Sequence, residues 1–415
     1  MPVPKAPPPD APQTHAPQTH APQTHAPQTH TPLTGLPLLD RRGLLARGGL
    51  GLGTLGLGTL GLGTLGLGTL GMGEARAAAP PIPPATAANT PPNPTQANPT
   101  QANPNQANPA PPARALAFVM NSGSASVAII DMATHKVLAN APTLREPSHW
   151  ALTPDHAELL ICDASGNALF SFDPRTGKPL GHRVLADPYQ ISFSPDGKLF
   201  VVNALRLNFV DIYDARELRL ARRLRVGAMP SHVTFSPDSR WSFNSMQQSG
   251  TVVAIDLASQ APRWTTAVGP TAAGVLWLDG KVLCCVMGSH DVVVLDPANG
   301  KIVRRVATGV GPHNLFLAPD RTTLYVTNRA GGTIAALDAA SLRIKRVYNM
   351  GFSGPDDMGI APDGKLWVAL RFREQVAVLD PASGHYETID VGRSPHGIFL
   401  NTALSQPGFV TAEIL

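Results

Sequence analysis

Three cysteines in 415 residues, Cys162, Cys284 and Cys285, are too few for a disulfide framework or a four-cysteine zinc site. The chain has no Gly-x-Ser-x-Gly elbow, His-Glu-x-x-His pair, phosphate loop, dinucleotide fingerprint or Cys-x-x-Cys-His haem attachment site. The sequence therefore names no catalytic residue, no cofactor and no metal site. Charge of one sign is also scarce. The formal net charge is +4, and Lys5, Arg41, Arg42, Arg47 and Arg76 against Asp10, Asp40 and Glu74 place two of those units in the first quarter. The remainder is close to neutral, which argues against a nucleic-acid partner. No 3.6-residue apolar stripe is present, so helices are not expected to build the core.

What is present divides at about Pro112. Residues 1–40 carry four APQTH copies ending in His15, His20, His25 and His30, and Pro in each copy predicts a disordered segment rather than a metal ladder. Residues 41–79 hold paired arginines (Arg41, Arg42), a Gly/Leu/Thr stretch and an Ala-x-Ala site. This order resembles a twin-arginine secretion signal, with cleavage expected after Ala77 or Ala79. The stretch from Leu50 to Met72 is long enough to span a bilayer, but its many glycines weaken a helix. An uncleaved anchor and a structural glycine repeat stay open as alternatives, and membrane contact is expected only if the signal is retained. Residues 80–112 read as a polar, extended linker. The expected location is periplasmic or secreted.

Residues 113–415 are a repeat array. Apolar runs end in Asp131, Asp173, Asp214, Asp256, Asp296, Asp338 and Asp380, and a second marker begins at Pro147, Pro188, Pro230, Thr271, Pro312, Pro355 and Pro395. Both markers recur about every 40 residues, the period of one β-propeller blade. Within a unit, short β-branched and aromatic runs separated by turns such as Pro195-Asp196-Gly197 predict four antiparallel strands. The reading is all-β: a seven-bladed β-propeller of four-stranded antiparallel blades, preceded by a disordered N-terminal region. Each marker aspartate is expected to cap a turn. The last blade is expected to take strands from both ends of the chain, among Leu116–Asn121, Gly397–Leu400 and Gly408–Thr411. Cys284 and Cys285 are expected as buried thiols facing opposite ways on a second strand. The arginines at 219, 222, 223, 225, 304 and 305 are expected to guard outer edges.

Leu324-Tyr325-Val326-Thr327-Asn328, Gly332 to Asp338 and Ile191 to Gly197 resemble the YVTN-type β-propeller repeat over about 116–415. That resemblance implies a seven-bladed ring, often secreted, with no particular activity.

In such a ring the turns entering first strands and leaving second strands share one face. Counting from the marker prolines puts Tyr189, His313, Asp356 and His396 at one level, and His149, Gln190, His232, Asn314 and Asp357 at the next. Arg371 ends a second strand on the same face. These ten residues are the candidate ligand site at the channel mouth, and Ala272 and Ala273 predict a gap beside them. Structural bonding, contact with a ligand or protein, and metal or acid–base chemistry all remain open for the histidines. The leading functional expectation is an exported, monomeric, non-enzymatic propeller that binds a small molecule or a protein partner at the channel face. The alternative is a metal-dependent lactonase-like hydrolase or an accessory propeller of a periplasmic oxidoreductase system.

Overall fold

The structure is a computed structural model and describes residues 114–405. The expectations for residues 1–112 and for Gly408–Thr411 lie outside the described residues. Seven four-stranded antiparallel sheets form the blades of a propeller, and a single 3-10 turn, Asn401–Ser405, is the sole helical element among the described residues. The innermost strands of blades one to seven are Pro147–Leu152, Pro188–Phe193, Pro230–Phe235, Ala272–Leu278, Pro312–Leu317, Pro355–Ile360 and Pro395–Leu400. Six of them begin on proline, which lacks an N–H and suits the first residue of a strand. Thr271, in the remaining marker position, has φ 60°, and its strand starts one residue later.

All seven marker aspartates cap turns as expected. Each accepts a backbone N–H two or three residues ahead, for example Ala133 on Asp131 at 2.9 Å and Ala382 on Asp380 at 2.8 Å. Outward of the first strands, the burial pattern explains the sequence periodicity. Second and third strands are buried on both sides, while fourth strands are largely exposed. Most apolar side chains gather in seven large clusters, one at each joint between neighbouring blades, and a small eighth one forms around Tyr189. Cys284 belongs to the joint of blades three and four and Cys285 to that of four and five, so the two thiols do face opposite ways.

The ring closes in blade seven, where Leu116–Asn121 from the N-terminal side pairs with Pro395–Leu400 from the C-terminal side. Phe118 lies opposite Phe399 with ring centroids 5.6 Å apart, and Trp150 of blade one packs on Phe399 at 4.7 Å. Asn401 adds a clamp. Its Oδ1 accepts from the Leu116 N–H at 2.7 Å, and its Nδ2 donates to the Arg114 carbonyl at 3.0 Å.

Each first strand carries a β-bulge just after its marker position. In blade one the register slips between Pro147 and Trp150, and the other six blades slip at the same place. A bulge breaks the alternation of a strand and re-aims side chains. Here it turns two consecutive residues towards the axis or the neighbouring blade.

Candidate functional site

The bulges bring the histidines from separate blades together. His149, His232, His313 and His396 are all buried, and their rings touch around the axis: His149 stands 4.6 Å from His396 and 5.1 Å from His232, and His232 stands 5.3 Å from His313. Tyr189 closes the group, 4.9 Å from His149 and 5.7 Å from His396. The convergence expected from the repeat register is therefore present, as a packed plug of rings below the mouth.

Beside the plug lies an ionic group centred on Asp356, which is fully buried. Arg329 donates to Asp356 Oδ1 through Nε at 2.9 Å and also through Nη2, and Arg371 donates through Nη1 to Oδ2 at 3.1 Å. His313 places Nδ1 2.7 Å from Asp356 Oδ1, off the line of a good hydrogen bond, while its Nε2 faces Arg329 Nη2. The neutral tautomer carrying its proton on Nδ1 satisfies both contacts.

Burial pushes His149 and His313 down to about 4, and pushes His232 and His396 well below their usual value. The nearby arginines act in the same direction on all four. The imidazoles are thus neutral near pH 7, and the positive charge of the site resides on guanidinium groups. Burial works to raise the Asp356 carboxyl, but Arg329 above all, with contact from His313, outweighs it and holds that carboxyl well below the usual range. Burial likewise opposes the Arg371 charge, and Asp356 outweighs it.

Three candidate residues are committed to joints between blades. Gln190 Oε1 accepts from the Val233 N–H at 2.6 Å, Asn314 Nδ2 donates to Asp357 Oδ1 at 3.1 Å, and the Ile398 N–H donates to Asp357 Oδ2 at 3.4 Å. Each bond runs from one blade to the next. The gap expected beside Ala272 and Ala273 is closed, because both residues are buried in blade joints. Gly274 makes the close fit possible: a Cβ there would stand 2.7 Å from Asn314 Cα and from the His313 carbonyl oxygen.

Arg329 was not among the ten candidates, although it follows its second strand, Thr323–Asn328, as Arg371 follows Leu366–Leu370. Both guanidiniums reach the mouth, with side chains 16% and 22% exposed. The Arg371 side chain makes a single hydrogen bond, leaving Nε and Nη2 without a partner among the described residues. Across the axis Tyr189 packs with Ala164, Leu205 and Met229, an apolar wall. The mouth is cationic on the side of blades five and six and apolar on the side of blades one to three.

His313, Asp356 and His396 also place one donor atom each within 4.8 Å of one another, a spacing that suits a metal ion. Two guanidiniums already neutralise Asp356, and a cation there would meet their charge at short range.

The model of one propeller family matches residues 94–404. The chain belongs to the YNCE-like beta-propeller family. No curated protein matches it. Among solved structures, the periplasmic gluconolactonase PpgL of Pseudomonas aeruginosa is similar at 19% identity and a TM-score of 0.57, over 69% of this chain and 98% of that one. The hydrazine synthase of Kuenenia stuttgartiensis is similar at 18% and 0.53, over 70% and 99%. Dihydro-heme d1 dehydrogenase NirN, solved in complex with DHE, is similar at 16% and 0.54, over 72% and 78%. At these identities the likeness carries the propeller fold and nothing finer.

Proposed function

We propose that this YNCE-like propeller is an exported binding module for a small organic anion, held at the channel mouth. The carrying observation is the unfinished hydrogen bonding of Arg371. Its fork keeps two free donor groups at the mouth while its charge is anchored by Asp356. A planar guanidinium held this way suits a carboxylate. The apolar wall of Tyr189, Leu205, Ala164 and Met229 would take the rest of the molecule. The neutral histidines below form the floor and supply no competing charge. Export rests on the paired arginines at 41 and 42, and a periplasmic or secreted location fits the periplasmic gluconolactonase that has a similar fold.

Isothermal titration with gluconate, citrate and benzoate, with glucose as the uncharged control, tests the reading. At least one carboxylate should bind, glucose should not, and Arg371→Gln should weaken binding by about tenfold or more. Silence from all three carboxylates at millimolar concentration overturns it.

A second reading, a metal-dependent lactonase-like hydrolase, is favoured by the spacing of His313, Asp356 and His396. Stoichiometric metal in purified protein, lost in His396→Ala, would establish that reading over the first.

A further inference from the structure

The seven blades supply an internal comparison at their outer joints. Opposite the second residue of every third strand, the fourth strand presents a side chain towards the following blade. In blades two to seven that residue is Leu224, Thr266, Val306, Tyr348, Ile389 and Ala141. Five of these are buried, and Thr266 is half-buried with its hydroxyl donating to the Gly300 carbonyl at 2.8 Å. Each closes the outer end of its joint.

Blade one departs. Its fourth strand, Pro179–Val184, is exposed throughout, and the equivalent residue is Arg183, opposite Leu169. The Arg183 side chain turns outward, 49% exposed, to a 3.4 Å contact with Glu158. Such an exposed pair contributes little. Where an apolar plug is missing, a cavity of about 160 Å³ opens between blades one and two, lined by Leu169, Phe200, Tyr213, Leu185 and Leu218, with Arg183 and Val184 at its edge. Val184 itself is 89% exposed and Leu180 52%.

We propose that this edge is a docking site for an extended peptide of a partner protein. The peptide adds a strand along Pro179–Val184 and inserts one apolar side chain into the cavity. The volume sets the chemistry: small-molecule pockets run from about 300 Å³ upward, whereas a cavity of about 150 Å³ holds one benzene-sized group. Leu224, Val306, Tyr348 and Ile389 show which side chains fill the same place in sister blades. A carboxylate beside the inserted residue would pair with Arg183 in place of Glu158. Backbone pairing with an exposed edge, joined to a pocket for one side chain, is a general mode of peptide recognition. The edge also lacks the dense arginines that guard the fourth strands of blades two and four.

The test uses the full chain and fluorescein-labelled ten-residue peptides rich in Thr and Val, with a central Leu-Glu or Phe-Glu, read by anisotropy. A Ser-Glu peptide is the control. Arg183→Val supplies the plug that blade four has. It should raise the melting temperature by filling the joint and weaken peptide binding by about tenfold or more. Chemical-shift changes at Leu169, Phe200 and Tyr213 should locate the bound peptide. No binding by the Leu and Phe peptides at millimolar concentration overturns the proposal. So does binding that survives Arg183→Val, or equal binding of the Ser peptide. Concentration-dependent dimerisation abolished by Arg183→Val would assign the edge to a second copy and also overturn it.

Discussion

Arg329 and Asp356 are joined across the boundary between blades five and six, the guanidinium donating twice to one carboxylate oxygen. The carboxylate is fully buried and also holds Arg371. Asp356→Asn leaves both guanidiniums without their counter-charge, and breaking a buried pair from one side costs about 3–5 kcal/mol. Urea unfolding should show that loss. Arg371→Gln keeps the Arg329 bonds and should cost under half as much while removing anion affinity. Equal destabilisation by both changes would make Arg371 a structural member of the group.

Stability should fall with acid in two windows. His149 and His313 titrate at about 4 in the folded chain against 6.5 in the unfolded one, so between these values the unfolded chain binds more protons. Their neutral forms stabilise fully above pH 6.5, and that contribution is lost as pH falls towards 4. Asp356 acts lower, since its depressed carboxyl keeps its contribution above its unfolded value of 3.8 and loses it below. Melting temperatures between pH 7 and 4 should decline steeply, and His149→Phe should flatten the decline. A flat profile in the unaltered protein would mean that these imidazoles are not held neutral.

At the ring closure, two substitutions separate packing from hydrogen bonding. Phe118→Ala removes a fully buried ring that touches Phe399 and Phe172, at a cost of about 3–5 kcal/mol. Trp150→Phe keeps an aromatic ring near Phe399 but loses the Nε1 bond to the Ile398 carbonyl at 3.0 Å, costing about 1 kcal/mol. Chemical denaturation of both variants should give that order.

Export is testable without the folded domain. Arg41→Lys combined with Arg42→Lys should retain the protein in the cytoplasm, as judged by fractionation. Unchanged export would remove the twin-arginine assignment.

The ring was legible because its period is written twice, in turn-capping aspartates and strand-opening prolines, and both follow from local backbone chemistry. Tyr189 and the four histidines could be placed at two adjacent levels for the same reason. The sequence could not say that their rings would touch, because that depends on how seven first strands converge. Nor could it divide the candidates into those that face the axis and those that bond blade to blade. Alternation alone would put Gln190 and Tyr189 on opposite sides, and the bulge cancels that rule. Arg329 follows a second strand and so falls on the mouth face, but its pairing was not legible because it reaches a carboxylate 27 positions away on the next blade.

Leu116–Asn121 has consequences for the order of events during synthesis. It is the first strand of the ring to be made, yet one of its two neighbours, Pro395–Leu400, is the last. The Leu116–Asn401 hydrogen bond spans 285 residues. Contacts so distant in sequence form slowly, and until they do an unpaired apolar strand stays available to wrong partners. Closure must therefore wait until Pro395–Leu400 and Asn401 have been made. A propeller closed in this way completes its seventh blade last, and three of that blade's four strands wait for the fourth while six other blades are made.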